Sequence, residues 1–343
     1  MSHAALPTLR TPRLTLRPLE QSDADAIVDG INNFDVSRWL GRVPYPYDKS
    51  DAVEFLGRAF GNRLSIWAVE NSDSFIGLVG LDDELGYWFA RRVWRKGFGF
   101  ETARAAVAHW FDDPKNDRLT SGFYDDNDRS RRVLMSLGFQ VEGHSPRYAK
   151  ALAHDVPGTD VILTRKRWEA RQDFTLYTPR LTIRPIEDRD AGPFARLTVP
   201  DITRMLTNLK TGMSEAEVLA DLPRRKWQGL LRFTLAIEHQ GQFVGTIGVG
   251  AGPTSVGYFL DPALWGQGLM TEALTAVLPE VFDRFPISAI YADHFEDNPA
   301  SGAVLRKLGF SQTGQSMAKS VARVEPGVLI TYALKRDNLR VQA

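Results

Sequence analysis

One ten-residue phrase occurs twice in this chain, and it constrains the fold more than any other feature. Thr11 to Glu20 reads TPRLTLRPLE and Thr178 to Glu187 reads TPRLTIRPIE, with eight of the ten positions identical and the other two exchanging Leu for Ile. The phrases lie 167 residues apart (178 minus 11), and further matches follow in the same order. FIGLVG and FVGTIG set Gly77 against Gly245 at 168; Trp94 and Trp265, Asn127 and Asn298, and Gly138-Phe139 and Gly309-Phe310 all lie 171 apart. A slowly growing offset marks small loop insertions between two copies of a whole domain, whereas a solenoid would repeat at a short fixed period. The length of 343 residues also suggests two domains. The expected domains are 1–168 and 174–343, joined by the charged, partly helical stretch Arg165 to Asp173, RKRWEARQD.

Composition narrows the classes. Lys plus Arg and Asp plus Glu number 42 each, so no global field draws the chain to nucleic acid or to a membrane, although a local basic patch stays open. There is no cysteine, which excludes disulfides, thiolate nucleophiles and cysteine metal sites. The histidines at 3, 109, 144, 154, 239 and 294 show no metal-ligand spacing, so no metal is expected, and His109 reads as packing or surface. No apolar signal region opens the sequence and no run approaches the roughly 18 apolar residues of a membrane span; a cytoplasmic enzyme or binding protein is the expectation.

Within each copy the elements follow one order. RLTLRPL alternates at period two and reads as a strand. Ser22 to Asn32 reads as a helix capped by Ser22, and the second helix of the second copy opens on a capping box, Ser214 to Glu217. Strands are expected over Leu64–Glu70, Phe75–Leu81 and Leu85–Phe89, then a helix over Glu101–Phe111, a strand over Leu119–Tyr124, a helix over Ser130–Leu137 and a last strand pair ending near Val161–Thr164. Strands first, helices later and one crossover predict an α/β (α+β) class with a mixed, mostly antiparallel twisted sheet flanked by helices.

The stretch Val93 to Ala103, VWRKGFGFETA, returns as LWGQGLMTEA at Leu264 to Ala273. It is not a Walker loop, since Lys96 precedes its glycine and no Gly-Lys-Ser/Thr follows. It is not a dinucleotide fingerprint either, because the third glycine is missing. Two readings remain: a tight strand-to-helix turn, or a helix start whose unpaired N–H groups and glycines let a pyrophosphate approach. Arg95 and Lys96 would add charge in the first copy, whereas Gly266 and Gln267 leave the second to its backbone.

Taken together, the motif W-x-K/Q-G-x-G/M-x-E, the opening PRLTLRPL/PRLTIRPI, the strand ends LGYWF/VGYFL and the signature Asn-x-x-Ser running to Leu-Gly-Phe resemble the GNAT acetyltransferase superfamily. They are most similar to its branch of ribosomal-protein N-terminal acetyltransferases of the Rim type, and the resemblance covers nearly the whole chain, twice. It implies two tandem GNAT-like domains, each with a splayed strand pair for acyl-CoA. It implies that backbone across Arg95, Lys96, Gly97, Phe98 and Gly99, and across Gly266, Gln267, Gly268, Leu269 and Met270, holds the CoA pyrophosphate. The strands ending at Phe89 and Leu260 would pair with the pantetheine arm, with Asn127 and Asn298 at the mouth of the splay. Ser130 and Ser301 match a serine that hydrogen-bonds the departing thiolate; plain helix capping is the equal alternative for both Asn-x-x-Ser runs. Where many relatives carry a tyrosine acid, seven residues after the asparagine, this chain has Leu134 and Leu305, so no tyrosine acid is assigned.

Acetyl transfer to an amine needs a base to free the nitrogen lone pair and a donor for the carbonyl oxygen. Glu84, just before LGYWF, is the candidate base, with Asp82 and Asp83 competing and a solvated turn carboxylate as the ordinary alternative. The second copy has Thr254-Ser255 there and no carboxylate, which points to it as a binding or structural half. GRVPYPY, Gly41 to Tyr47, is either an acceptor-binding wall or ordinary loop packing, and TNLKTGM replaces it in the second copy. The reading is an N-acetyltransferase moving acetyl from acetyl-CoA to a primary amine, a protein N-terminus or a small amine, by direct attack. Its alternative is a non-catalytic acyl-CoA-binding or regulatory protein. A monomeric pseudo-dimer or a homodimer would suit either.

Overall fold

The computed structural model describes residues 6–82 and 84–340, so Asp83 and His3, named above, lie outside the described residues. The chain forms two compact units that divide between Arg171 and Gln172.

The first unit runs β1 (Leu9–Arg10), β2 (Thr15–Pro18), α1 (Ala24–Ile31), α2 (Phe34–Ser37), α3 (Lys49–Gly61), β3 (Ile66–Glu70), β4 (Phe75–Leu81), β5 (Leu85–Phe89), α4 (Phe98–Asp112), β6 (Arg118–Tyr124), α5 (Asp128–Leu137), β7 (Gln140–Ala149), β8 (His154–Thr164) and α6 (Arg165–Ala170). Its strands form one sheet in the order β1-β2-β3-β4-β5-β6-β8-β7, antiparallel except where β5 meets β6. β4 is buried at six of its seven positions and lies against α1 and α4; apolar residues on successive positions are what a strand covered on both faces requires. One core joins α1 and α3 to the sheet through Leu19, Ile27, Ile31, Leu56 and Leu78. Burying such side chains contributes roughly 1.5–3 kcal/mol each.

The second unit repeats the order: β9 (Leu176–Tyr177), β10 (Leu181–Pro185), α7 (Ala191–Arg196), α8 (Pro200–Thr203), α9 (Glu215–Asp221), β11 (Phe233–His239), β12 (Gln242–Val249), β13 (Val256–Leu260), α10 (Leu269–Arg284), β14 (Ala289–Phe295), α11 (Pro299–Lys307), β15 (Ser311–Ala318) and β16 (Gly327–Lys335). Here the sheet is divided into β13-β12-β11-β10-β9 and β14-β16-β15. α9 opens on the expected capping box of Ser214 and Glu217.

Two boundaries differ from the sequence reading, each for a local reason. Ser22 is not the cap of α1: the Asp23 carboxylate accepts from Glu20 N–H, closing a single 3₁₀ turn over Gln21–Asp23 before the helix begins. α4 starts at Phe98 rather than Glu101, because Gly97 takes a left-handed φ of 78° and turns the chain directly into helix. The charged stretch Arg165 to Asp173 is helical as α6 over Arg165–Ala170, with Trp168 stacked on Phe111, and the division between the units falls inside it.

The repeated opening phrase is explained by two ion clusters. Arg17 binds both oxygens of Asp23 and reaches Glu70, and Arg184 does the same with Asp190 and Glu238. A planar guanidinium matches a carboxylate with two parallel bonds, so this clamp ties the first strand to the turn after it and to its neighbour.

Candidate functional site

In each unit the sheet opens at one place. Among the described residues β5 and β6 pair only at Leu85 and Ser121, where Ser121 Oγ donates to the Leu85 carbonyl at 2.7 Å. In the second unit β13 and β14 lie in different sheets, linked by the single parallel bridge Ser255–Tyr291 and by Tyr291 N–H to Thr254 O at 2.9 Å. Beyond these points the strands diverge.

The cause is a bulge one strand away. Pairing between β3 and β4 skips Ile76, and pairing between β11 and β12 skips Val244. The carbonyls of these extra residues accept the N–H just past the next strand: Ala90 to Ile76 at 2.9 Å and Asp261 to Val244 at 2.8 Å. A bulge bends its strand and raises the local twist, which swings the ends of β5 and β13 away from their other neighbour. Gly77 and Gly245 follow the bulges for a steric reason: a Cβ there would lie 2.1 Å from the Trp88 carbonyl oxygen and 2.2 Å from that of Phe259. Since Ala90 bonds β4, the antiparallel alternation turns the backbone of Tyr87 and Phe89 toward the opening. There the Trp94 indole N–H takes the Phe89 carbonyl at 2.8 Å, and Trp265 takes that of Leu260 at 2.8 Å.

The glycine loops lie at the wide end of each opening. Arg95 has φ 66° and Gly97 φ 78°; Gly266 and Gly268, at 75° and 78°, repeat the path. Among the described residues, the backbone N–H groups of Arg95, Lys96, Gly97, Phe98 and Gly99 meet no acceptor, and neither do those of Gly266, Gln267, Gly268, Leu269 and Met270. Each loop is held by a clasp that the sequence reading missed. Glu101 accepts from Thr11 Oγ1 at 2.5 Å and from Arg13 N–H at 3.0 Å, while Arg13 also donates to the Lys96 carbonyl at 2.8 Å. Glu272, Thr178, Arg180 and the Gln267 carbonyl repeat this arrangement. Burial works against the Glu272 charge, but the Thr178 and Arg180 bonds outweigh it and hold the carboxyl below its ordinary value. The signal was available, since Glu101 and Glu272 share the 171-residue offset.

The loops differ in charge. Around the first lie Arg91, Arg92, Arg95, Lys96, Arg129, Arg131 and Arg132; 171 positions later stand Pro262, Ala263, Gly266, Gln267, Ala300, Gly302 and Ala303, none of them charged. Arg91, Arg92 and Arg131 pair with Asp35, Asp29 and Asp128. Arg129 lies over the Trp94 ring at 3.8 Å. Burial, followed by the neighbouring charges of Arg95, Arg91 and Arg132, pulls the Arg129 guanidinium below its ordinary value despite Asp35. Among the described residues, Arg95 and Lys96 have no carboxylate within ion-pair distance.

Both Asn-x-x-Ser runs are helix caps: Asn127 Oδ1 accepts from Ser130 N–H at 3.2 Å, and Asn298 from Ser301 N–H at 3.2 Å. That leaves the serine hydroxyls available, and each meets a tyrosine from the strand across the opening. Tyr87 lies 3.0 Å from Ser130 Oγ, and Tyr258 lies 2.8 Å from Ser301 Oγ. Burial pushes the Tyr87 hydroxyl above its ordinary range and Tyr258 up to about 12, with the serine bond opposing in both cases. These tyrosines are hydroxyls that sequence reasoning missed. Leu134 and Leu305, where it looked for one, are fully buried in the core.

Glu84 stands at the narrow end of the first opening, half exposed and 3.6 Å from Arg147. The Arg147 guanidinium lies over Gly122 and pairs with Asp160 at 2.5 Å. The Ser145 hydroxyl, then Arg147, hold the Asp160 carboxyl below its ordinary value. Asp82 is engaged differently, accepting from Ser65 N–H at 2.6 Å. The GRVPYPY segment divides: Tyr47 is buried in the core, with burial pushing its hydroxyl up to about 12, while Tyr45 is exposed against Phe34. His109 packs edge-on to Trp67. Among the described residues, no group of His, Asp and Glu comes together that could hold a metal ion, and no helix is long and apolar enough to cross a membrane.

Comparison with known proteins gives a consistent result. The family described as an acetyltransferase (GNAT) domain matches residues 13–140 and 180–311. The uncharacterized N-acetyltransferase p20 of Bacillus licheniformis is 32% identical over 161 residues, which is 42% of this chain and 88% of that protein. The uncharacterized N-acetyltransferase YoaA of Bacillus subtilis (strain 168) is 28% identical over 155 residues, 41% of this chain and 88% of its own. Among solved structures, Mycobacterium smegmatis RimJ in complex with CoA-disulfide is 22% identical, covers 48% of this chain and 87% of its own, and has a TM-score of 0.41.

Proposed function

The chain belongs to the GNAT acetyltransferase family, one domain in each unit, and from that premise we propose that it moves the acetyl group of acetyl-CoA to a primary amine, a protein N-terminus or a small amine, by direct attack. The observation that carries this reading is the opening between β5 and β6, repeated between β13 and β14, with five unpartnered N–H groups at its wide end and a tyrosine–serine pair along it. Those amides, at a helix start, suit a pyrophosphate. From Phe89 back to Leu85 the strand spans about 13 Å at about 3.3 Å per residue, a track for the extended pantetheine arm.

Each group then has a role. Glu84, or a water it holds, takes the proton of the attacking ammonium; the nitrogen attacks the thioester carbonyl, the C–N bond forms and the C–S bond breaks. Ser130, hydrogen-bonded to Tyr87, donates to the departing sulfur and is reprotonated by the second proton leaving the nitrogen, and Ser301 with Tyr258 does so in the second unit. Asn127 and Asn298 hold the helix starts that aim those serines. No covalent enzyme intermediate is needed.

The test is release of free CoA thiol from acetyl-CoA when a primary amine is added. Changing Ser130 and Ser301 together to Ala is expected to lower kcat about 10²-fold, the lower end for a general acid, with acetyl-CoA affinity kept. Saturable acetyl-CoA binding with no thiol release on any amine would favour a regulatory acyl-CoA-binding protein instead.

A further inference from the structure

The second unit lacks a carboxylate where Glu84 stands in the first, yet one lies beside its opening on the neighbouring strand β14. In the parallel pair Ser255–Tyr291 both residues face one side of the sheet, and alternation puts Gly257 and Asp293, two steps along, on that same side. Tyr258 and the Ser301 hydroxyl it meets belong to the opposite side. Asp293 therefore lies beside the opening on the face of the sheet opposite to the tyrosine–serine pair.

Comparison of the two units sharpens this. In the first, Gly122 on β6 pairs across strands with Asp160 on β8; in the second, the equivalent pair is Asp293 on β14 with Thr331 on β16. One carboxylate is present at this cross-strand position in each unit, but on opposite strands. Its surroundings are inverted too. Asp160 is bound by Arg147 and Ser145, whereas Ala318 occupies the position 171 residues after Arg147. Among the described residues the Asp293 carboxylate has no ion-pair or hydrogen-bond partner. It keeps solvent access, yet the surrounding protein withdraws enough water to raise its carboxyl above the ordinary value, with His294 opposing. Tyr258 on β13 is close enough for the Asp293 charge to help raise its hydroxyl, after burial.

We propose that Asp293 is the amine-binding and proton-accepting residue of the second unit, which makes that unit a second acetyl-transfer site rather than a structural half. It binds the ammonium form of a primary amine and takes one proton; the freed nitrogen attacks the thioester carbonyl, the C–N bond forms, the C–S bond breaks, and the second nitrogen proton passes to the thiolate through Ser301, which gives its own proton to sulfur and regains one from nitrogen. Ammonium and acetyl-CoA give amide, CoA thiol and one proton, so the step balances without another reactant.

This rests on the acetyl-transfer reading, and the experiment separates the two. Full-length wild type, Glu84→Gln, Asp293→Asn and the double variant are assayed for CoA-thiol release with butylamine, a lysine-free peptide with a free N-terminus, and kanamycin, with acetyl-CoA binding measured alongside. Glu84→Gln is expected to keep turning over at least one probe. Adding Asp293→Asn should lower that residual kcat about 10²-fold or more with acetyl-CoA still bound. Moving the carboxylate to the other strand, Asp293→Gly with Thr331→Asp in the Glu84→Gln background, should restore turnover that a merely structural role would not restore. Equal turnover by Glu84→Gln and the double variant, complete loss in Glu84→Gln alone, or no recovery on moving the carboxylate would overturn the assignment of Asp293 while leaving first-unit transfer standing. No thiol release by wild type with any probe would overturn both.

Discussion

The tyrosine–serine pair shows what a residue's surroundings add to its identity. Tyr87 and Ser130 are 43 positions apart, and only the divergence of β5 from β6 brings α5 over the strand. The sequence reading searched seven residues past the asparagine and met Leu134 and Leu305, because a helix places residues seven apart on one face. A hydroxyl arriving from another strand leaves no such spacing. The clue lay in the repeat, since Tyr87 and Tyr258 keep the 171-residue offset of the two serines. The pair also makes a prediction about pH. Burial pushes the folded Tyr258 hydroxyl up to about 12, against about 10 for an unfolded tyrosine. The fold therefore favours its protonated form, and the stability this adds is present below about pH 10 and lost as pH rises through about 12. Thermal melts at successive pH values should show a steep fall across this window, shallower in Tyr258→Phe. An unchanged slope in that variant would mean the hydroxyl is as well solvated folded as unfolded.

At the level of elements, the strands that read clearly were short apolar runs bounded by polar turns. β4 and β5 match the expected Phe75–Leu81 and Leu85–Phe89. The bulge at Ile76 did not read, because FIGLVG is apolar throughout and one extra residue in a doubly covered strand disturbs no pattern. Its trace was Gly77, repeated as Gly245 where a β-branched residue would otherwise suit a strand. Gly77→Ala forces a methyl group to within 2.1 Å of the Trp88 carbonyl, so β4 and β5 must separate. The expected cost is about 1–3 kcal/mol, read as a lower Tm together with weaker acetyl-CoA binding in the first unit. Gly57→Ala in α3, where a Cβ meets nothing within 4 Å, is the control, expected to stabilise by roughly 0.5–1 kcal/mol. A Gly77→Ala protein with unaltered Tm and affinity would show that the close approach does not shape the opening.

Across the whole chain, duplication preserved the backbone of the loop and let its charge diverge. The repeat, the fold class and the loop were legible because they depend on glycines, caps and apolar periodicity, which local sequence records. The placement of Asp293 was not, because it depends on which strands diverge and on a cross-strand pair 38 residues apart in sequence (331 minus 293). The charge difference could be counted directly, and it has a consequence for binding. Both loops offer five backbone amides, but only the first adds Arg95 and Lys96 without carboxylate partners. Acetyl-CoA should therefore bind in two unequal steps, the tighter one in the first unit. Exposed charge contacts add about 0.2–1 kcal/mol each and weaken with salt, so raising ionic strength should bring the two affinities together. Arg95→Gly with Lys96→Gln, which writes the second loop into the first, should weaken the tight step about 2- to 30-fold, since about 1.4 kcal/mol is a factor of ten. It should also raise the Tm, because Arg95 holds a left-handed φ of 66° that glycine adopts freely. Calorimetric titration at low and high salt reads the affinities, and a melt reads the strain. A variant that gains stability but keeps a tight, salt-sensitive step would move phosphate recognition away from the loop, toward Arg129 and Arg132 at the start of α5.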